Sequence, residues 1–380
     1  MKTIAILFPG NLKSISTGGI DRYVKSIISY CDNYQITVYG ICEENEYEIG
    51  KKYENSFNGK YYYFIPICNN ERKPLSLYFT LSEIKWLKEI RTYDCVFLQR
   101  IEFALPFAFG NNHNIAQIIH GSGKFYEYSY GKIRFWIYSF LEWLSIMITS
   151  KTFVIMNNDL YGVPYYKKLY PACKNKFFFA INPIKLEIFR RRNKIEIREE
   201  LGLPLNFHII LYAGRLINNP KRVMLIPDIC KELLRRDVSC LFIIAGDGPD
   251  EKKLVDKVST LELSDNFIFT GYIDNSEIIA KYNSAADAVI NISMYEGTCT
   301  SNIEAVAAGI PIVSTDVGEI REIVSDNMNG HIINNTDDKD IICGAAEGIQ
   351  KILNGEIKMN DKYLKYESNN AVRCLLEILL

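Results

Sequence analysis

The sequence predicts an α/β protein made of two successive Rossmann-like domains, each a parallel sheet wrapped by helices. Three observations predict it. Short apolar runs alternate with amphipathic stretches along nearly the whole chain, which is the rhythm of βαβ units. The rhythm restarts after Asn182-Pro183, past the charged stretch FRRRNKIEIREELGLP. At 380 residues the chain also exceeds what one ordinary core holds.

In the first half, the runs TIAILF (3–8), ITVYG (36–40), YYYFIPI (61–67), DCVFLQR (94–100), IAQIIH (115–120), TFVIMN (152–157) and KFFFA (176–180) read as strands. Amphipathic segments such as IDRYVKSIISYC (20–31) and LSEIKWLKEI (81–90) lie between several of them. The second half repeats this with HIILYAGR (208–215), CLFIIAGDG (240–248), NFIFTGYI (266–273), DAVINIS (287–293), IPIVST (310–315) and GHIIN (330–334). The boundary falls near Asn182-Pro183, giving a first domain over 1–182. One segment admits two readings: RFWIYSFLEWLSIMITS (134–150) is nearly all apolar, but Arg134, Glu142 and Lys151 leave it too short to span a bilayer. It is a buried helix of the first domain, or a helix that partly rests on a membrane.

A 48% hydrophobic and 23% charged composition is that of a folded soluble protein. Met1-Lys2 leads straight into a strand-like run, so no signal peptide is expected. The ten cysteines are scattered without a C-x-x-C pair, which points to reduced thiols in a cytosol rather than disulfides or a zinc site. Residues 1–198 carry about 27 basic and 17 acidic side chains, and the remainder restores the net charge of −1. From Lys124 to Arg198, basic residues outnumber acidic ones by about 14 to 5. A basic, aromatic-rich first half suits an anionic bilayer; an unevenly decorated solvated surface explains it equally well.

Candidate site residues cluster at the ends of strands, where open α/β proteins bind ligands. After the first strand, Gly18-Gly19 open a helix, and glycines there let a backbone approach a phosphate. The pattern is not G-x-G-x-x-G, so the dinucleotide fingerprint is missing, and a flexible loop is the plain alternative. His120 closes the IAQIIH strand beside Gly121. Gly214-Arg215 end the first strand of the second domain, and Lys221 follows just before a helix; a fork and a point charge can clamp a diphosphate. In AGDGP (245–249), Gly246 lines the same crevice while Asp247 reads as a turn residue. Finally, Met294-Tyr-Glu-Gly-Thr-Cys-Thr-Ser-Asn-Ile-Glu304 joins a buried strand to a helix. Ser301-Asn-Ile-Glu304 is a capping-box pattern that would occupy Glu304 in the first helical turn. Glu296 has no such local explanation.

These features together resemble glycosyltransferase family 4, retaining enzymes of the GT-B fold (glycosyl transferases group 1). The E-x7-E spacing of Glu296 and Glu304 within YEGTCTSNIEAVAAGIPIV carries the resemblance. TGGIDRYV, IIHG, INPI…IF, YAGRL…K, IIAGDGP, FTGYI and STDVGEIREIV followed by NMNG support it in the family's order. The resemblance implies parallel sheets facing a central cleft, with an acceptor-binding domain over 1–182 and a nucleotide-sugar-binding domain over 183–361. A final helix over 362–380 would cross back toward the first domain.

It further implies that Arg215 and Lys221 hold the donor diphosphate, that Glu296 binds sugar hydroxyls and Glu304 the nucleotide ribose. Amides of Gly297, Thr298, Cys299 and Thr300 would assist, Gly18 and Gly19 would close over the phosphates, and His120 would lie near the transferred sugar. Arg215, Lys221, Glu296 and His120 are thus the catalytic set, with Gly214 and Gly246 among the donor-binding residues. Three departures stand out: Thr298-Cys299-Thr300 where many members have a proline, Asn182-Pro183 in place of Asn-Gly, and Glu319 where a small residue is common.

The expected activity is retaining hexosyl transfer from a UDP- or GDP-sugar to a glycan or lipid-linked acceptor in cell-surface polysaccharide or oligosaccharide synthesis. No cofactor, no metal and no nucleic-acid partner are expected. The expected location is the cytoplasm, with peripheral contact at the inner face of the plasma membrane. Two rival readings are a non-catalytic sugar-nucleotide-binding subunit and a sugar-nucleotide epimerase of the same fold.

Overall fold

The computed structural model describes residues 1–12, 19–31, 33–42, 47–71, 74–110, 114–121, 131–158, 162–325 and 327–380. Chain contacts divide them into two units: Met1–Pro183 together with Ser368–Leu380, and Ile184–Glu367.

The first unit holds an eight-stranded sheet in the order β3-β4-β2-β1-β5-β6-β7-β8. Its strands are β1 Lys2–Leu7, β2 Tyr34–Cys42, β3 Tyr53–Phe57, β4 Lys60–Asn69, β5 Cys95–Leu98, β6 Ile115–Ile119, β7 Lys151–Val154 and β8 Phe177–Phe179. All pairs are parallel except β3 with β4. β5 and β6 are buried at every position, because helices cover both sheet faces and leave no side to water. β3 was not expected from the sequence. Its run YENSF is mostly polar, and it is held by the two-residue turn Asn58-Gly59, both with positive φ.

The helix Ser368–Leu379 belongs to this first unit. Val372, Leu375, Leu376 and Leu379 join the core formed by Val24, Ile27 and Ile28 of the helix Gly19–Ser29. Lys151 Nζ donates to the carbonyls of Ile378 and Leu379 at 2.6 and 3.1 Å, placing a cation on the negative end of that helix. The returning helix starts later than position 362: Lys362–Tyr366 form a short 3₁₀ turn inside the second unit, and Glu367, at φ −55° and ψ 129°, then ends it.

The helix Lys132–Ile148 corrects the reading of 134–150 as a buried helix. It buries Glu142, Ser145 and Ile146, whereas Trp136 and Phe140 stay 71% and 59% exposed. Only one face packs, chiefly against the 3₁₀ segment Ile101–Phe107, so an almost wholly apolar sequence leaves its second apolar stripe in water. Glu142 accepts a hydrogen bond from Tyr166 Oη at 2.9 Å, and burial raises its pKa to about 7.

The second unit is a six-stranded parallel sheet in the order β11-β10-β9-β12-β13-β14. Its strands are β9 His208–Ala213, β10 Cys240–Ala245, β11 Phe267–Gly271, β12 Ala288–Asn291, β13 Ile312–Thr315 and β14 Gly330–Ile333. The continuous apolar run of β10 is buried throughout, as a central parallel strand requires. Helix starts are set by local caps: Asn193, Asn275 and Asp337 accept backbone N–H bonds from Ile195, Glu277 and Asp340.

Candidate functional site

In the second unit, the chain winds outward in one direction from β9 through β10 to β11, then resumes on the other side at β12. That reversal opens a crevice at the carboxyl ends of β9 and β12, which is the ligand position of a doubly wound sheet. Arg215 follows β9 and Glu296 follows β12, so the fold brings both to the mouth of the same crevice.

Lys221 Nζ is bonded to Glu296 Oε1, joining residues 75 positions apart. Ser293 Oγ lies 2.8 Å from the same carboxylate oxygen and 2.7 Å from Asn291 Oδ1. Burial disfavours the charged Lys221, but the Glu296 carboxylate outweighs it and holds the ammonium above the usual lysine range. Arg215 differs: it is exposed, and its guanidinium pairs with no carboxylate among the described residues. Burial, then the Glu296 charge, pushes the Cys299 thiol up to about 11, so it stays protonated at neutral pH.

The loops approach closely because two positions lack a side chain. A methyl group on Gly246, at φ 149°, would sit 2.0 Å from the Gly214 carbonyl oxygen. One on Gly318, at φ 56°, would sit 2.0 Å from that of Gly297. Gly214 and Gly246 are thereby neighbours, and Gly297 lies against the turn after β13.

The helix after the crevice spans Thr300–Ala307, and its N-cap is Cys299 without a side-chain cap bond. This corrects the capping-box reading. Ser301 already lies inside the helix, its hydroxyl 3.1 Å from Cys299 Sγ, and Glu304 sits beyond the first turn, too far in to serve the N-cap. Glu304 is half-buried and is partnered. Gly297, Thr298 and Cys299 precede the helix and Thr300 opens it, so their amides lie at its positive end.

Three contributors were not read from the sequence. Arg222, buried with φ 51°, donates to Asn335 Oδ1 at 2.6 Å, while Asn335 Nδ2 donates to Met294 O at 2.7 Å. Thr315 Oγ1 donates to Ser293 O at 2.7 Å. Asp250 Oδ2 accepts the Asn218 amide at 2.8 Å, steadying the turn that carries Lys221. The Lys-Arg doublet before an apolar helix was the available signal for Arg222; the other two depend on pairings that no local pattern reveals.

In the first unit the reversal lies between β1 and β5. His120, after β6, is 3.1 Å from Gln99 Oε1 through Nε2 and meets Tyr23 edge-on at 5.5 Å. Burial, then the Arg100 charge, lowers its pKa to about 3, which keeps the imidazole neutral in any ordinary buffer. Gly19 is the first residue of the helix that carries Tyr23. Gly18 lies outside the described residues.

Residues 193–370 match the sequence profile of glycosyl transferases group 1. That stretch is similar to a group 1 domain. An uncharacterized glycosyltransferase of Methanocaldococcus jannaschii is 32% identical over 162 residues, 42% of this chain and 41% of that protein. The alpha-monoglucosyldiacylglycerol synthase of Streptococcus pneumoniae is 30% identical over 141 residues, 37% of this chain and 32% of its own length. The matched stretches thus span less than half of these curated relatives. The solved structure of sucrose-phosphate synthase from Thermosynechococcus elongatus superimposes with a TM-score of 0.72 at 16% identity, covering 100% of this chain and 95% of that one. The fold is GT-B, and the matched stretch carries its second sheet.

Proposed function

We propose that this chain is a retaining glycosyltransferase that moves a hexosyl group from a nucleotide diphosphate sugar to an acceptor hydroxyl. The observation that carries this reading is the Lys221–Glu296 pair, with the exposed Arg215, at the switch point of a group 1 domain. In this reading, Arg215 grips the donor diphosphate through its guanidinium fork and Lys221 acts as a point charge. Amides from Gly297 to Thr300 add partial positive charge, Glu296 holds sugar hydroxyls and Glu304 the ribose.

The acceptor oxygen bonds to the anomeric carbon on the face that the diphosphate leaves, and the hydroxyl proton passes to the departing phosphate oxygen. Each lost phosphate contact costs about 2.7–4 kcal/mol of transition-state stabilisation, by analogy with single oxyanion donors. His120 is a neutral hydrogen-bonding group here, not an acid or base.

The acceptor class is a lipid-linked or growing cell-surface glycan, served from the cytoplasmic side with peripheral contact to an anionic bilayer. The basic, aromatic-rich first half supports this, as does the glycolipid, a monoglucosyldiacylglycerol, that the streptococcal relative is named for making. Among the described residues, no helix is long and apolar enough to cross a membrane.

The test is nucleotide release from a panel of UDP- and GDP-sugars, with and without a lipid-linked acceptor. Release that requires both a particular donor and the acceptor supports the reading. No release with any donor, or full activity in a Glu296→Ala, Lys221→Ala double variant, overturns it.

A further inference from the structure

The outward face of the Lys132–Ile148 helix has no use in the chemistry above. Ile133, Trp136, Ile137, Phe140, Trp143 and Met147 recur at helical spacing along it and are all exposed. Two of the three tryptophans of the chain stand in this stripe. The one acidic residue of the helix, Glu142, is turned inward to Tyr166. The stripe therefore presents no carboxylate of its own.

Its surroundings are basic. Lys132 and Arg134 lie in its first turn, both exposed. The Glu142–Tyr166 bond fastens the Val163–Leu169 helix alongside, and that helix exposes Lys167 and Lys168. Cys173 Sγ, 4.0 Å from Met147 Sδ, brings the turn with exposed Lys174 to the far end.

We infer that this face seats the protein on an anionic lipid surface, the helix lying in the interface with its aromatic stripe among the acyl chains. The inference rests on the peripheral contact proposed above and assigns its residues. An amphipathic helix with Trp and Phe on one side and a Lys/Arg rim is the interfacial pattern. A second copy of this chain fits less well, since it would bring two lysine rims together with no acid on the stripe to offset them.

The test uses the full chain with vesicles of phosphatidylcholine alone or mixed with phosphatidylglycerol. We expect sedimentation with the anionic vesicles, weakening as salt rises, together with a blue shift of tryptophan emission. The double variant W136Q/F140Q should bind at least about tenfold more weakly at unchanged melting temperature, and Lys167→Glu with Lys168→Glu should weaken binding as well.

Wild-type protein that stays in the supernatant with anionic vesicles overturns the inference, as does W136Q/F140Q binding as tightly as wild type. A dimer that becomes monomeric in W136Q/F140Q and ignores vesicles assigns the face to a second copy instead. Nucleotide release measured without vesicles separates the two readings: release without vesicle binding defeats only the lipid surface, and vesicle binding without release defeats only the transferase.

Discussion

Lys221 Nζ and Glu296 Oε1 are bonded across the mouth of the second sheet, where one leaves the β9 side and the other the β12 side. The two charges of the pair neutralise each other. In the function proposed above, a donor diphosphate arriving there would compete with Glu296 for Lys221 and free the carboxylate to accept sugar hydroxyls.

Both members are half-buried, so each charge depends on the other. Lys221→Met and Glu296→Gln should each destabilise the fold by about 1–3 kcal/mol, and the double variant should cost less than their sum. Urea denaturation of the four proteins measures this directly; strict additivity would mean that the two groups do not interact in solution.

Arg215 makes the opposite case. Because it is exposed and unpaired among the described residues, Arg215→Ala should leave unfolding free energy within about 0.5 kcal/mol of wild type. Turnover of a donor should nonetheless fall by about 10²–10³. A matching loss of stability would relocate its role from ligand to scaffold.

The close passage of Gly246 over Gly214 leaves no room for a methyl group. Gly246→Ala is expected to cost about 2 kcal/mol or more, since both the positive φ and the carbonyl contact oppose it. A melting temperature equal to wild type would show that this loop relaxes freely.

Two titratable groups of the first unit, the half-buried His120 and the buried Glu142, should give opposite pH dependences. His120 has its pKa lowered to about 3 from 6.5, so only the unfolded chain takes up its proton between those values; its contribution is present above pH 6.5 and is lost as pH falls toward 3. Glu142 has its pKa raised to about 7 from 4.5, so its contribution is full below pH 4.5 and is lost as pH rises through 7. Accordingly, His120→Gln should flatten the acid side of a stability–pH curve and Glu142→Gln the neutral side. Curves that keep the wild-type slopes would show that these groups do not govern them.

Much of the fold was legible in the sequence because buried parallel strands are continuous apolar runs, and runs such as CLFIIA allow little else. β3 was not legible: YENSF has neither a strong alternation nor an apolar run, and only the Asn58-Gly59 turn betrays its hairpin. The 134–150 segment misled for a related reason, since apolar content says nothing about how much of a helix the fold will cover. At the site, Arg215, Lys221 and Glu296 could be singled out from their places after strands. Their mutual pairing could not, because it joins loops 75 residues apart. The Ser301–Glu304 pattern failed because the helix begins one residue before the serine, at Thr300.

The Ile184 amide donates to the Tyr366 carbonyl at 2.7 Å, so the chain enters and leaves the second unit at one spot. Topologically, the second unit is an insertion in the first, continuous in sequence and closed at its own neck. During synthesis the first unit emerges early yet lacks the helix Ser368–Leu379, whose leucines complete its core. The second unit can therefore finish folding before the first, and the helix Ser368–Leu379 acts as the bolt that shuts the first unit's core.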